Sequence, residues 1–196
     1  MGPGVRQDDT ECCIENRFRG DDGVFCIGSR PMNPHLRPGL IAAVAALVLD
    51  QASKLWLLFV FDIARRGVVE VTPFFDLVLA WNVGISFGWF QSESPAAQVI
   101  LMLIKAVAVV VLAVWMARSR TLLATVALGL IIGGAIGNAI DRFAYGAVVD
   151  FALFHLQIGG KTFNWYVFNL ADVAIVAGVA ALLYDSFLGV PAAKAP

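Results

Sequence analysis

The chain is 196 residues long, 59% hydrophobic and 15% charged, with a formal net charge of −1. Soluble domains carry about 25% charged residues and lack long apolar runs, so the composition excludes an ordinary soluble domain and describes a small integral membrane protein. The near-neutral balance makes no case for nucleic acid or an acidic partner, and the position of all three cysteines (Cys12, Cys13, Cys26) before the first apolar segment excludes thiol catalysis in the hydrophobic body.

Residues 1–38 are polar, Gly/Pro-rich and aperiodic, which predicts a cytoplasmic tail. Translation starting at Met32 would leave MNPHLRPGL as a short basic N-terminus. A transmembrane domain is expected over 39–189, with 190–196 as a cytoplasmic C-terminal tail. Its first span, Gly39–Phe61, would extend about 34 Å as a helix, enough for a bilayer core with some tilt. Asp50 and Lys54 interrupt it, which argues against a cleavable signal peptide. Their i, i+4 spacing puts them on one face, where they would pair.

The first loop, Arg65–Phe90, mixes β-branched and aromatic residues with Gly and Pro and predicts short strands. Phe74, Phe75, Trp81, Phe87, Trp89 and Phe90 suit a membrane–water interface. Ser94-Pro95 reads as N-cap and first helical residue of a second span, Ala96–Met116, interrupted only by Lys105, to which the sequence assigns no role. Arg118 and Arg120 then precede a third span, Thr121–Ile140. In it Gly129, Gly133 and Gly137 form a stripe suited to close helix packing. A second loop covers 141–166, and Phe168–Gly189 is a fourth span. Positive charge at Arg30 and Arg37, between spans two and three, and at Lys194 predicts that both termini and the short middle loop are cytoplasmic. Asp141, Asp150 and Asp172 then share the outer side. The absence of a duplicated half speaks against the usual transporter architecture.

Elimination leaves carboxylate chemistry. Ser53 and Lys54 are adjacent and diverge on a helix, His155 is the one histidine outside the tail, and no metal-ligand spacing such as H-E-x-x-H occurs. Two carboxyl groups sharing a site divide one proton, so that one activates water while the other donates. Asp141 is followed by Arg142, which suggests charge compensation. Asp150 stands among Val148, Val149 and Phe151, an apolar setting expected to favour its protonated form, whereas Asp172 heads a helix whose dipole favours the anion. Asp150 is therefore the expected acid and Asp172 the expected base, with the proton belonging to the pair. Proton relays and ion sites use the same residues, so the residues alone leave peptidase and ion-coupled carrier both open, with a non-catalytic scaffold as a weaker third reading.

Five short motifs resemble those of the lipoprotein signal peptidases (signal peptidase II, aspartic peptidase family A8). They are DQASK at Asp50–Lys54, NVGISF at Asn82–Phe87, GNAIDR at Gly137–Arg142, VVDF at Val148–Phe151 and FNLAD at Phe168–Asp172. Each is weak alone, but five in order on four spans are specific. The resemblance implies an all-α membrane protein with four transmembrane helices, a small periplasmic β-cradle over 65–90 and a periplasmic loop and helix within 155–166. It places the catalytic pair on Asp150 and Asp172 and supporting residues on Asp50, Lys54, Asn82, Gly84, Asn138, Asp141, Arg142, Asn169 and Ala171. Ser86 stands where Ala is frequent. The implied substrates are diacylglyceryl-modified prolipoproteins, cut before the lipid-bearing cysteine, and globomycin-type inhibitors are expected to bind. The implied enzyme is a monomer in the bacterial inner membrane, in contact with lipid and working at the periplasmic side without metal, organic cofactor or nucleic acid.

Overall fold

The structure, a computed structural model, describes residues 33–83 and 95–188. Helix α1 (Leu36–Leu55) starts ahead of the expected Gly39 and ends in a wide π-helical turn, Trp56–Val60. Its entry is anchored by Asn33, whose Nδ2 donates to the Met116 carbonyl (2.8 Å) and to Thr125 Oγ1 (3.1 Å). A single turn, α2 (Ile63–Arg66), leads into strands β1 (Val69–Thr72) and β2 (Phe75–Asn82). Helix α3 (Pro95–Arg118) begins at the proline the sequence marks as a helix start, while Ser94 lies outside the described residues. Then come α4 (Leu122–Tyr145), β3 (Val148–Ile158), β4 (Lys161–Phe168) and α5 (Leu170–Leu188).

Among the described residues three helices are long and apolar enough to cross a membrane: Leu36–Val60, Leu122–Tyr145 and Leu170–Phe187. Of their apolar windows, 56% is buried in α4 against 22% and 11% in the other two, so α4 is the central helix and the others present most of their surface outward. It packs on α1, α3 and α5. The glycine stripe makes the α1 contact possible. A Cβ at Gly133 would run into the Ala43 carbonyl, and one at Gly137 would sit 2.6 Å from Asp50 Oδ2. Thr121 caps α4, its hydroxyl accepting from the Ala124 amide at 3.1 Å.

The strands form one antiparallel sheet in the order β1-β2-β3-β4. The short strands expected in the first loop are present. The helix expected within 155–166 is not, because β3 and β4 occupy that stretch as a hairpin. Gly159 (φ 59) and Gly160 (φ 78) supply the two left-handed residues that a two-residue hairpin turn needs, and the aromatic and β-branched run from Thr162 to Phe168 suits the returning strand. The protein is thus helical with a four-stranded sheet at one end of the bundle. Leu57, Ile63, Phe151 and Ala152 form the small core that ties sheet to helices.

One irregularity aims a side chain. Pairing runs Leu77↔Ala152 and then Ala80↔Asp150, an extra residue on β2. Because faces alternate with period two, this bulge sets Asn82 opposite Val148 and on the same face as Asp150.

Candidate active site

Two polar clusters meet where α1, α4, β3 and α5 converge. In the first, Lys54 lies 2.8 Å from Asp50 Oδ2 and 2.7 Å from Asp141 Oδ2, and all three side chains are at most 2% exposed. The pair expected within α1 is therefore part of a triad spanning α1 and α4: Lys54 makes the direct ion pair with Asp141, and the adjacent Arg142 lies near enough to act on it electrostatically. Every remaining oxygen is used. Asp50 Oδ1 accepts from the Ala171 amide in the first turn of α5 (2.9 Å), and Asp141 Oδ2 accepts from the Val149 amide of β3 (3.1 Å). Gln51 Nε2 closes the cluster by donating to Asp141 Oδ1 (2.9 Å), the Gly137 carbonyl (3.1 Å) and Asp50 Oδ2 (3.2 Å). Three backbone elements are thus pinned to one buried charge cluster.

The second cluster holds Asp150 and Asp172. Asn169 caps α5 in a reciprocal pattern: its Oδ1 accepts from the Asp172 amide (3.0 Å), while Asp172 Oδ2 accepts from the Asn169 amide (3.3 Å). The Asn169 amide group also reaches across to β3, donating to Asp150 Oδ1 at 2.6 Å and to the Val149 carbonyl at 3.3 Å. Asn82 Nδ2 donates to Asp150 Oδ2 at 3.1 Å, and Asn138 Nδ2 donates to Asp172 Oδ1 at 3.0 Å. Each carboxylate is thus held through both oxygens by neutral amides, and none of the ion pairs among the described residues involves either of them. Asn138 links the two clusters, since its Oδ1 accepts from Lys54 (3.2 Å) and from Asn169 (3.1 Å).

Burial pushes the Asp150 carboxyl up to about 6 from 3.8, and the charge of Asp172 adds to the rise. Hydrogen bonds from Asn82 and Asn169, and the more distant Lys54, oppose it. Asp150 is only 3% exposed, whereas Asp172 is half-buried. One carboxyl is therefore enclosed and readily protonated, and its neighbour is open to a small molecule.

The structure brings together Asp50, Lys54, Asn82, Asn138, Asp141, Asp150, Asn169, Ala171 and Asp172 as a hydrogen-bonded set. Arg142 joins through Nη1, which donates to the Asn82 carbonyl at 3.4 Å. Gly84, Ser86, Phe87, Trp89 and Phe90 lie outside the described residues. Gln51 carries no mark of its bridging role in the sequence, although it sits inside DQASK. Its neighbours carry charge and it does not, so nothing in the pattern marks it as the bridge. Lys105, given no role from sequence, is half-buried on α3 near enough to Arg142 and Asp172 to interact with both electrostatically. His155 lies away from the dyad, its Nδ1 3.6 Å from Asp76 Oδ2 on the sheet. Among the described residues no His/Cys/Asp/Glu cluster could hold a metal ion.

Apolar helices carrying two amide-held carboxyl groups at one end have the make-up of an aspartic peptidase embedded in a membrane. The chain belongs to the signal peptidase II family: the model described as Signal peptidase (SPase) II matches residues 42–188. It is 78% identical over 161 residues to the lipoprotein signal peptidase of Nitrobacter hamburgensis, covering 82% of this chain and 98% of that one. Identity to the lipoprotein signal peptidase of Rhodopseudomonas palustris (strain CGA009) is 70% over 161 residues, with the same coverage. Among solved structures, a bacterial membrane enzyme determined by the in meso method at 2.3 Å is similar, with 28% identity, a TM-score of 0.61 and coverage of 80% of this chain and 94% of that one. The protein is therefore an aspartic peptidase of the membrane.

Proposed function

We propose that this protein removes signal peptides from diacylglyceryl-modified prolipoproteins, cutting just before the lipid-bearing cysteine. The observation that carries the reading is the shared clamp: Asn169 holds Asp150 through its side-chain amide and Asp172 through its backbone N–H. Asp172, the more open of the two, takes a proton from water as the water oxygen attacks the scissile carbonyl. Protonated Asp150 gives its proton to the carbonyl oxygen, forming a neutral gem-diol. Collapse returns a proton from a gem-diol hydroxyl to Asp150, and Asp172 delivers its proton to the leaving amide nitrogen. Both carboxyls end as they began, so no metal or cofactor enters the cycle.

On this reading α3 is a fourth span beside the three apolar helices. The chain works as a monomer in the bacterial inner membrane, with both termini cytoplasmic, the dyad and sheet at the periplasmic side, and the substrate's acyl chains remaining in lipid. Arg118 and Arg120, at the other end of the bundle from the dyad, support that orientation. Globomycin-type inhibitors would bind at the dyad. The test is cleavage of a diacylglyceryl-modified prolipoprotein by purified protein. Wild type should cleave before the modified cysteine, and Asp150→Asn and Asp172→Asn should not. Full processing by either variant would overturn the mechanism, and proton flux without cleavage would favour an ion carrier.

A further inference from the structure

At the end of the bundle remote from the dyad, the C-terminal ends of α3 and α5 flank the first turn of α4 around a cavity of about 630 Å³. Its walls divide by chemistry. Trp115, Val179, Leu182 and Leu183 form an apolar side, and the connection from α3 to α4 contributes Arg118, Ser119 and Arg120. Both arginines are exposed, and none of the ion pairs among the described residues involves either of them. The one carboxylate in the lining, Asp185, is already engaged, its Oδ2 accepting from the Thr121 hydroxyl at 3.1 Å. Two guanidiniums against one carboxylate leave the rim with an excess positive charge. Trp115, Val179 and Leu183 are about half exposed, so the apolar wall continues onto the surface that faces lipid.

We propose that this cavity binds the headgroup of one anionic glycerophospholipid, with its phosphate at Arg118 and Arg120 and its acyl chains along the apolar wall. The chemistry matches part by part. A guanidinium fork fits phosphate oxygens bidentately, and basic pockets between transmembrane helices select anionic headgroups. A free anion would need the arginines but not the apolar side, and a zwitterionic lipid would use the apolar side but bring a cation of its own to the rim. A lipid seated here bridges α3 to α5 across the start of α4. The proposal rests on these helices lying in a membrane, and not on the chemistry assigned to the dyad.

The test is native mass spectrometry of the full chain in detergent, titrated with phosphatidylglycerol, with phosphatidylethanolamine of the same acyl chains, and with inorganic phosphate. Wild type should retain one phosphatidylglycerol in preference to phosphatidylethanolamine, and phosphate should not displace it. Arg118→Gln/Arg120→Gln should weaken phosphatidylglycerol retention by about thirtyfold, the effect of two basic side chains at a membrane surface, while still cleaving prolipoprotein. If the double variant does not fold, each single variant should lose part of the preference. Equal retention of both lipids by wild type (an annular lipid only), displacement by phosphate, or undiminished preference in the arginine variants would each overturn the proposal.

Discussion

Two groups of aspartates sit side by side in this protein, and they are held in different ways. Asp50 and Asp141 clasp one lysine and are almost completely enclosed. Asp150 and Asp172 are held, among the described residues, by amides, and Asn169 serves both, one through its side chain and the other through its backbone N–H. A carboxylate clasped to a buried ammonium and to backbone amides has every oxygen committed to structure, so it serves as a fixed brace. A carboxylate held by neutral donors remains within reach of protonation, and a second carboxylate beside it makes that proton shared. The same residue type thus becomes scaffold or chemistry according to whether its partner carries charge.

The largest expected effects come from removing the ionisable groups of the amide-held pair. Asp150→Asn and Asp172→Asn should each abolish prolipoprotein cleavage, because neither half of the acid–base pair substitutes for the other. Both should remain folded by circular dichroism, since the amides around them have other acceptors or reach water. Next comes the brace. Lys54→Met leaves Asp50 and Asp141 buried together without their cation, and breaking a buried ion pair in this way costs about 3–5 kcal/mol. Thermal unfolding should show that loss directly. If Lys54→Met were as stable as wild type but inactive, the distinction between brace and chemistry would fail.

The two groups also differ in how far the sequence announces them. The i, i+4 spacing of Asp50 and Lys54 makes their pairing visible without a structure. That Asp141 completes a triad depends on the approach of α4 to α1, which the glycine stripe predicts only as close packing with an unnamed neighbour. Asp150 and Asp172 could be singled out by position and by motif. The amide that joins them is harder to see, because Asn169 acts first as a helix cap and only through tertiary contact as a clamp. Asn82 is harder still: a bulge in β2 decides which face it occupies, and nothing local in LVLAWN gives the pairing register. The stretch from His155 to Phe168 misleads for the opposite reason. Its Gly159-Gly160 turn is a local hairpin signal, but the family resemblance implies a helix there.

A smaller effect sharpens the comparison through pH. Because the folded Asp150 carboxyl sits at about 6, above its ordinary 3.8, its contribution to stability is full below about pH 4 and is lost as pH rises through about 6. On the proposed mechanism this is the proton the dyad donates, so kcat/KM should fall on the alkaline side with an apparent pKa near 6. The Asn82 hydrogen bond favours the ionised form. Asn82→Ala should therefore move that limb to higher pH, and a profile unchanged in position would show that Asn82 does not tune the acid.

The smallest effect belongs to a carboxylate outside both groups. Asp185 lies near the end of α5 remote from the dyad, and its recorded partner is the Thr121 hydroxyl. That bond joins two side chains at an exposed position, so Asp185→Asn should shift stability by no more than about 0.5 kcal/mol and leave cleavage and its pH profile unchanged. The substitution removes the same charge, from the same helix α5, as Asp172→Asn. Any difference in outcome must come from the surroundings: amide donors shared with a second carboxyl in one case, a solvent-reached hydroxyl in the other. Loss of cleavage in Asp185→Asn, measured with the same prolipoprotein, would mean that removing a carboxylate anywhere in the bundle disables the enzyme, and the special standing of the amide-held pair would go with it.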